Sequence, residues 1–495
     1  MPTTTNPGQL IYDFGFIGNG SNTLATVDPS KTLSQWQVIY PASATTGSAG
    51  ALSLSDEIDG LAIQKAIDVQ AASGRVEIDL PACFAYCTYP LKSNGNVILS
   101  IRGFGGFTSG LYYPTSRAFE FGQTTAHGNI NLDGVFIRGN FNGYAILLNS
   151  AGDPSIFMKN CMVFGFAGGL DGHNIKSSKF EGNIWSTTFS GHAKTLDCYS
   201  LTQDQPSMQN IFRDKQVLGF RTAYDWTISS QIGFEGQYVS DVQINECVNA
   251  FKLTNPVYRT IDWKFERLEI ECEGTAFNLE NARDVFIQSI YFISLGTGTV
   301  SKGNRFSNIQ ALTITGLNSN IIANDYTRYM EFEDCEGVRF SNNFFNDFKN
   351  TTATYIWFQG TNVDVVEKGT EFKVSAGATI AGATSGLSLE YLALRAGGTV
   401  DRQGKYTITG QVTATTDANG MISVGLPTNP DGSPLFSAFP LVFLSAGDRN
   451  FGGTDTFGPV RPGTNTTLEI ITFNPATGLP RAGILRQINY MLVGN

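Results

Sequence analysis

The sequence predicts an all-β chain whose middle is a parallel β-helix, and three observations predict it. One rung is written twice. Asp241–Asn255 (DVQINECVNAFKLTN) and Arg267–Asn281 (RLEIECEGTAFNLEN) share Ile244/Ile270, Ala250/Ala276, Phe251/Phe277, Leu253/Leu279 and Asn255/Asn281 at an offset of 26 residues. Apolar residues at every second position mean short strands with one buried face. A repeat of this length built from strands means coils stacked on one another. Fainter copies lie upstream, where Ile156–Phe166 (IFMKNCMVFGF) and Ile211–Phe220 (IFRDKQVLGF) share an Ile-Phe opening and a Gly-Phe close. Composition agrees: aromatics are 12%, charged residues 15%, with 54 Gly and 36 Phe, whereas long surface helices would raise Lys and Glu.

The 495 residues do not count domains, because a solenoid absorbs length as one body. A net charge of −10 argues against nucleic acid and anionic membranes as partners, while an acidic substrate at a local basic patch stays open. No apolar run is long enough to insert into a membrane, and the opening MPTTTNPGQ carries no secretory signal. Seven cysteines show no metal-ligand spacing. Cys161, Cys247, Cys272 and Cys335 each fall within a rung and read as small buried hydrophobes. Cys83 and Cys87 are close enough to pair, but synthesis in a cytosol keeps them reduced.

In order along the chain, Gln9–Gly20 (QLIYDFGFIGNG) reads as a strand and a Gly/Asn turn. Asp59 caps a helix with a buried stripe of Ile63, Ala66, Ile67 and Gln70–Ala71, and Gly74 stops it. Val76, Ile78 and Leu80 then alternate as a strand ending at Pro81. Such a helix has a structural task, since an open solenoid end exposes apolar surface and strand edge.

The stretches DFGFIGNG, LAIQKAI and GRVEIDLP resemble the opening of pectate-lyase-like right-handed β-helices, especially the tailspike depolymerases of bacteriophages. Phe16 and Asn19 depart from the family, which more often has Ala and Asp there, and the acidic patch is reduced to Asp56, Glu57 and Asp59. These departures touch capping rather than chemistry. The resemblance implies a right-handed parallel β-helix, a homotrimer, a bacterial surface polysaccharide as partner, and docking to a phage tail or adaptor protein. It also implies a virion protein made in the host cytoplasm and acting at the cell surface. No virion-attachment module is legible ahead of the capping motif, so a truncated chain or an adaptor is expected.

Further rungs are expected at Val97–Ile101, Leu111–Tyr113, Ile130–Ile137, Ala145–Leu148, Val285–Phe292, Ile309–Ile314, Val338–Phe345 and Tyr355–Phe358, with long turns at Gly168–Lys176 and Leu196–Met208. Asn320 and Asn342–Asn343 read as ladder asparagines. From 367 to 398 the chain turns Gly/Ala/Ser-rich. Beyond it, longer segments separated by DANG and NPDG suit an antiparallel β-sandwich. The expected organisation is residues 1–90 as N-terminal strand, linker and capping helix, 91–370 as β-helix, 371–398 as the end of the solenoid and a linker, and 399–495 as a sandwich for trimerisation or glycan binding.

No nucleophile elbow, phosphate loop, zinc-protease or dinucleotide motif is present. No metal or other cofactor is implied, and the three histidines, His127, His173 and His192, do not favour a histidine mechanism. Acids on the outward face of the central rungs carry the chemistry. With Val242, Ile244, Ile261, Trp263, Phe265, Leu268 and Ile270 inward, strand parity puts Asp241, Asp262, Glu266, Glu269 and Glu271 outward, and Glu235 likewise. Rungs stack about 4.8 Å apart and same-face neighbours lie about 6.6–7 Å apart. Paired carboxyls hydrolyse a glycosidic bond at about 5–5.5 Å with retention or about 6.5–9.5 Å with inversion. Crowded carboxylates repel, which raises the pKa of at least one. Arg259, Lys264 and Arg267 are placed to hold an anionic sugar, and Tyr224, Trp226 and Tyr238, with Asp225, to line its path. The expected function is a depolymerase that hydrolyses a bacterial capsule or O-antigen. A lyase acting by β-elimination on a uronic-acid glycan and a non-catalytic glycan-binding spike are the alternatives.

Overall fold

A computed structural model describes residues 7–374, apart from 96, 123–127, 150–153, 188–192, 205–208, 230–234, 256–258, 296–298, 322–324, 348–353 and 361. Beyond these it describes 379–382, 388–389, 398–400, 406–419, 421–426, 441–446, 456–464, 467–473 and 485–494. Among the described residues, thirty-three strands between Asn19 and Leu389 join in parallel pairs. They wind into a right-handed β-solenoid with three faces. One rung shows the plan: Gln237–Ser240 lies on face one, Gln243–Cys247 on face two and Asn249–Thr254 on face three. The next rung repeats it with Thr260–Cys272 spanning two faces and Phe277–Glu280 on the third. The written repeat is the physical register, with Gln243 over Glu269, Ile244 over Ile270, Phe251 over Phe277 and Leu253 over Leu279. A bulge between Ile244 and Cys247 shortens the offset and sets Cys247 over Cys272.

The fainter copies are one residue out of register. Phe157 and Ile211 both align with Lys179, so Ile156 points inward while Ile211 does not; a one-residue slip exchanges the two faces of a strand. The Gly-Phe closes do coincide, with Phe166 and Phe220 both buried.

Between faces one and two the backbone turns through a single residue in the left-handed region. Asn160 (φ 52°), Asp241 (60°), Arg267 (51°), Ser289 (55°) and Asn342 (53°) occupy this corner, alternating with Gly182, Gly316 and Gly369. Asn281, Asn308 and Asp334 turn face three in the same way. There Asn281 donates to the Asn255 carbonyl and Asn308 to Asn281 Oδ1. Inside, asparagines satisfy backbone donors one rung earlier: Asn183 accepts from Cys161 N (2.9 Å), Asn304 from Phe277 N (3.1 Å) and Asn343 from Leu317 N (2.9 Å). Asn346 donates to Asn320 Oδ1 at 2.9 Å, so Asn320 and Asn343 are ladder residues as expected.

The core is built of like over like. Ring centroids step from Tyr199 to Tyr224 (4.9 Å), Tyr224 to Phe251 (5.3 Å) and Phe251 to Phe277 (5.1 Å), all nearly coplanar stacks. Cys161, Cys247, Cys272 and Cys335 are buried, and all seven cysteines are free thiols. A buried carboxyl interrupts this interior. Asp214 receives Asn183 Nδ2 (2.9 Å), Tyr199 Oη (2.6 Å) and Tyr224 Oη (3.2 Å), yet burial pushes its pKa up to about 6.

Several elements differ from expectation. Pro7–Asp13 is a helix, not a strand, because Leu10 and Ile11 dock side by side into the core shared with the helix Ile58–Ala71. In that longer helix Ala62, Ile63, Ala66 and Ile67 are buried against Val76 and Ile78. Asp59 does not cap it; Glu57 occupies the cap position. The buried Asp59 carboxylate instead accepts from Ile17 N (2.7 Å) and Gly18 N (3.0 Å), tying down the Asp-Phe-Gly turn. Gly168–Lys176 is largely strand, since Met162–His173 runs unbroken, and Tyr199–Gln203 lies inside the other expected turn. Parallel pairing continues past residue 370 through Glu371–Val374, Thr379–Gly382 and Ser388–Leu389, so much of the expected linker is solenoid. Among the described residues beyond it are two antiparallel sheets, one of four strands and one of three. Tyr406–Thr415 pairs with Leu485–Gly494, and Met421–Gly425 with Thr467–Phe473. The DANG turn therefore passes the chain from one sheet to the other instead of closing a hairpin, while NPDG lies outside the described residues. No helix among the described residues is long and apolar enough to cross a membrane.

Truncating Phe251 to alanine removes one ring from a continuous column, and urea denaturation should show a loss of about 3–5 kcal/mol. Asp214 holds its proton more tightly folded than unfolded, so its cost is absent below its ordinary value of 3.8 and grows as pH rises to about 6. The Asp214→Asn protein should lose less stability than the parent across that window, by about 3 kcal/mol, in chemical denaturation at pH 4 and pH 7.

Candidate active site

Strand parity puts the expected acids on the surface. Glu235, Asp241, Asp262, Glu266, Glu269 and Glu271 are all exposed or half-buried. They do not form one constellation. At the corner, Arg267 grips Asp241 through two bonds of 2.6 and 2.8 Å and reaches Glu266 at 3.3 Å. Tyr238 Oη donates to the same Glu266 oxygen at 2.9 Å. On face two, Glu269 receives Gln243 (2.9 Å) and Glu271 receives Asn245 (3.1 Å) from the rung before. Asp262 pairs with Lys264 at 3.0 Å. Glu235 bridges to Ile261 where face one begins, and Arg259 donates to Asn308 at 2.6 Å. Crowding does not raise Asp241. Its pKa lies below the usual carboxylate value because the Arg267 guanidinium donates to it directly, so it is a surface ion pair rather than an acid.

Tyr224 and Trp226 are not sugar platforms. Parity on Thr222–Ile228 turns both inward, leaving them 0% and 2% exposed. The Tyr224 ring sits in the aromatic column, and Trp226 meets Trp263 edge-on at 5.2 Å. His127 and His192 lie outside the described residues.

A more enclosed set of acids stands on face three. Its strands Met162–His173, Tyr199–Gln203, Thr222–Ile228 and Asn249–Thr254 pair so that Asp171, Ser200, Asp225 and Lys252 follow one another in a single outward column. Asp225 faces outward yet is only 7% exposed. Lys252 Nζ holds its Oδ2 at 2.7 Å, while its buried Oδ1 has no hydrogen-bond partner among the described residues. Burial raises its pKa, more than Lys252 lowers it. Asp171, two rungs earlier, is also raised by burial, against the pull of Arg117 and His173. Buried Asp197 accepts a fork from Arg221, with Nε at 2.9 Å. The Tyr144 hydroxyl lies by Ser200, Asp197 and Asp171, and burial raises its pKa.

Two carboxyls shifted toward protonation thus flank Ser200, their backbones two strand spacings or about 9.6 Å apart. Basic groups stand beside each, Arg117 and His173 by Asp171 and Lys252 and Arg221 by Asp225. Such a set has the groups needed to protonate a leaving oxygen and to activate water. Among these residues the sequence had offered only Asp225. Asp171 sits in GFAGGLDGH, whose glycines hid the alternation of Leu170 and Gly172; Asp197 was assigned to a turn. Among the described residues no group of three or more His, Cys, Asp or Glu is disposed around a common metal position.

No family model matches the chain, and no curated protein matches it. Solved structures do. The tailspike of Pseudomonas phage phi297 matches at 10% identity and a TM-score of 0.52, over 99% of this chain and 100% of that one. The fold is a tailspike fold. The tailspike of Pseudomonas phage LKA1 matches at 13% identity and a TM-score of 0.43, over 98% and 99%. A mutant tailspike of E. coli bacteriophage HK620, solved with a hexasaccharide, matches at 12% identity and 0.44, over 88% and 89%.

Replacing Arg267 with alanine should move the Asp241 carboxyl upward in a carboxyl-resolved NMR titration. It should change stability by less than about 1 kcal/mol, because both partners are half-exposed.

Proposed function

We propose that the chain is a phage tailspike that binds a bacterial surface polysaccharide and cleaves it by glycoside hydrolysis. The observation that carries this reading is the Asp225 carboxyl: outward on the solenoid, enclosed, raised in pKa, and with one oxygen unengaged. A group in that state is a general acid for a glycosidic oxygen. Asp171, less enclosed and beside Arg117 and His173, is the carboxylate that activates water. Their backbones, about 9.6 Å apart, stand just beyond the about 6.5–9.5 Å carboxyl spacing of inverting enzymes. Lys252 and Arg221 hold acidic or hydroxyl groups of the glycan alongside. The tailspike fold and the opening motif support the assignment to phage tails. In this reading the chain is a homotrimer attached through a tail or adaptor protein, with the antiparallel sheets beyond residue 399 at the trimer end.

A second pair, Glu269 and Glu271, is favoured by one observation. Amides from the preceding rung hold both carboxylates outward at adjacent same-face positions, which spaces them for inversion. Glu235, Asp262 and Glu266, with Tyr238, Lys264, Arg259 and Arg267, would then line the glycan path. Elimination is less well supported, since a lyase needs a proton-abstracting base and burial moves the Tyr144 hydroxyl away from the phenolate.

The test is digestion of host capsule or lipopolysaccharide followed by mass spectrometry. Fragments should carry one added water per cut, and Asp225→Asn should lower kcat by about 10²–10⁴-fold. Unsaturated fragments, or full activity in Asp225→Asn with loss in Glu269→Gln, would overturn the assignment to face three.

A further inference from the structure

The acid column of face three does not begin at Asp171. One rung earlier stands Leu147, before it Glu120, and before that Lys92. Lys92 and Glu120 line a cavity of about 250 Å³ near the N-terminal end of the stack. The helix Ile58–Ala71 supplies one wall with Leu61, Gln64, Lys65 and Asp68, which sit at helical spacing beside its core-facing stripe. The segment from Tyr40 to Leu52 supplies the wall opposite. That segment is pinned rather than draped. Thr46 and Ser48 hydroxyls both donate to Asp68, Asn94 Nδ2 donates to the Thr46 carbonyl at 2.6 Å, and Ser43 N donates to Ser48 O at 2.9 Å. Gln64 meanwhile bonds both the N–H and the carbonyl of Lys92.

Interiors pack to leave few voids larger than a water molecule. The hydrogen bonds that fix its walls leave this cavity preformed, as ligand sites usually are. Its chemistry is mixed. Leu52, Leu61 and Pro90 make an apolar patch, while Glu120 and Asp68 are acceptors. Glu120 is already paired with Lys92 at 2.9 Å and with Arg117. The half-buried Lys65 has no ion-pair partner among the described residues.

We infer that this cavity binds one N-acetylated hexosamine residue of a glycan chain that runs along face three. Lys65 donates to the acetyl carbonyl, the Leu52–Leu61 patch takes the methyl group, and the carboxylates accept from ring hydroxyls. The cavity's lining residues Glu120 and Lys92 lie four and five strand spacings from Asp225, about 19 and 24 Å, so it anchors the chain away from the cut. The inference rests on the proposed glycan substrate, but its test does not depend on cleavage.

The probes are N-acetylglucosamine, N-acetylgalactosamine and glucose, titrated into the full chain with binding read by saturation-transfer NMR. An N-acetylhexosamine should bind, glucose should bind at least tenfold more weakly, and Lys65→Ala should weaken binding about tenfold without shifting Tm. Leu61→Trp, which fills the cavity, should abolish it. Asp225→Asn should bind as the parent does. No binding by either acetylated sugar, glucose binding equally well, or binding untouched by both Lys65→Ala and Leu61→Trp would overturn the inference. Full depolymerase activity in Asp225→Asn with sugar binding intact would instead overturn the catalytic assignment and leave the cavity standing.

Discussion

Parallel strands in register hold every side chain of the solenoid over its counterpart one level earlier, about 4.8 Å away. Almost everything else in the molecule follows from that spacing. It is a stacking distance for aromatic rings, so Tyr199, Tyr224, Phe251 and Phe277 form a column whose members each bury a face against the next. It also matches hydrogen-bond reach between side-chain amides, so Asn281 and Asn308 bridge consecutive turns at one corner. Outside, the same spacing sets Arg267 beside Asp241 as an ion pair and Gln243 beside Glu269 as an amide-supported acid.

Because the lattice supplies suitable distances on every face, distance alone does not choose a reactive pair. Enclosure does. Asp241 and Asp225 are both outward acids with a basic partner, and their pKa values are shifted in opposite directions. Arg267 reaches Asp241 in open solvent and keeps it ionised. Asp225 meets Lys252 where water is largely excluded, and desolvation outweighs the attraction. The interior shows the same contest in Asp214, where three donors soften the effect of complete burial without cancelling it.

How much of this was legible follows from what repeats. The 26-residue identity between Asp241–Asn255 and Arg267–Asn281 is a statement about neighbours in space, and it gave register, inward residues and outward acids correctly. Face three was less legible for a physical reason. Gly168, Gly169 and Gly172 have no side chains to show alternation, and they are there because rings and backbone crowd them: a Cβ on Gly168 would lie 2.4 Å from the Tyr144 ring, and one on Gly169 2.4 Å from the Cys198 carbonyl. Their absence of pattern is itself a packing feature. Tyr224 and Trp226 were misread for a different reason. An aromatic beside an acid suggests a sugar platform, yet the parity that turns Asp225 outward must turn both its neighbours in. The helix at Pro7–Asp13 was missed because seven residues carry too little periodicity to separate helix from strand, and docking against the longer helix decided it.

The corner shared by Asn160, Asp241, Arg267, Ser289 and Asn342 has one more implication. A left-handed backbone costs an ordinary side chain about 1–2 kcal/mol, and the exposed Arg267–Asp241 pair returns at most about 1 kcal/mol. Arginine at that level is therefore close to neutral or slightly unfavourable for the fold, and glycine or asparagine would serve the backbone as well. Such positions are free to drift. Substitution there would change the chemistry along this edge without asking anything of the rungs beneath it.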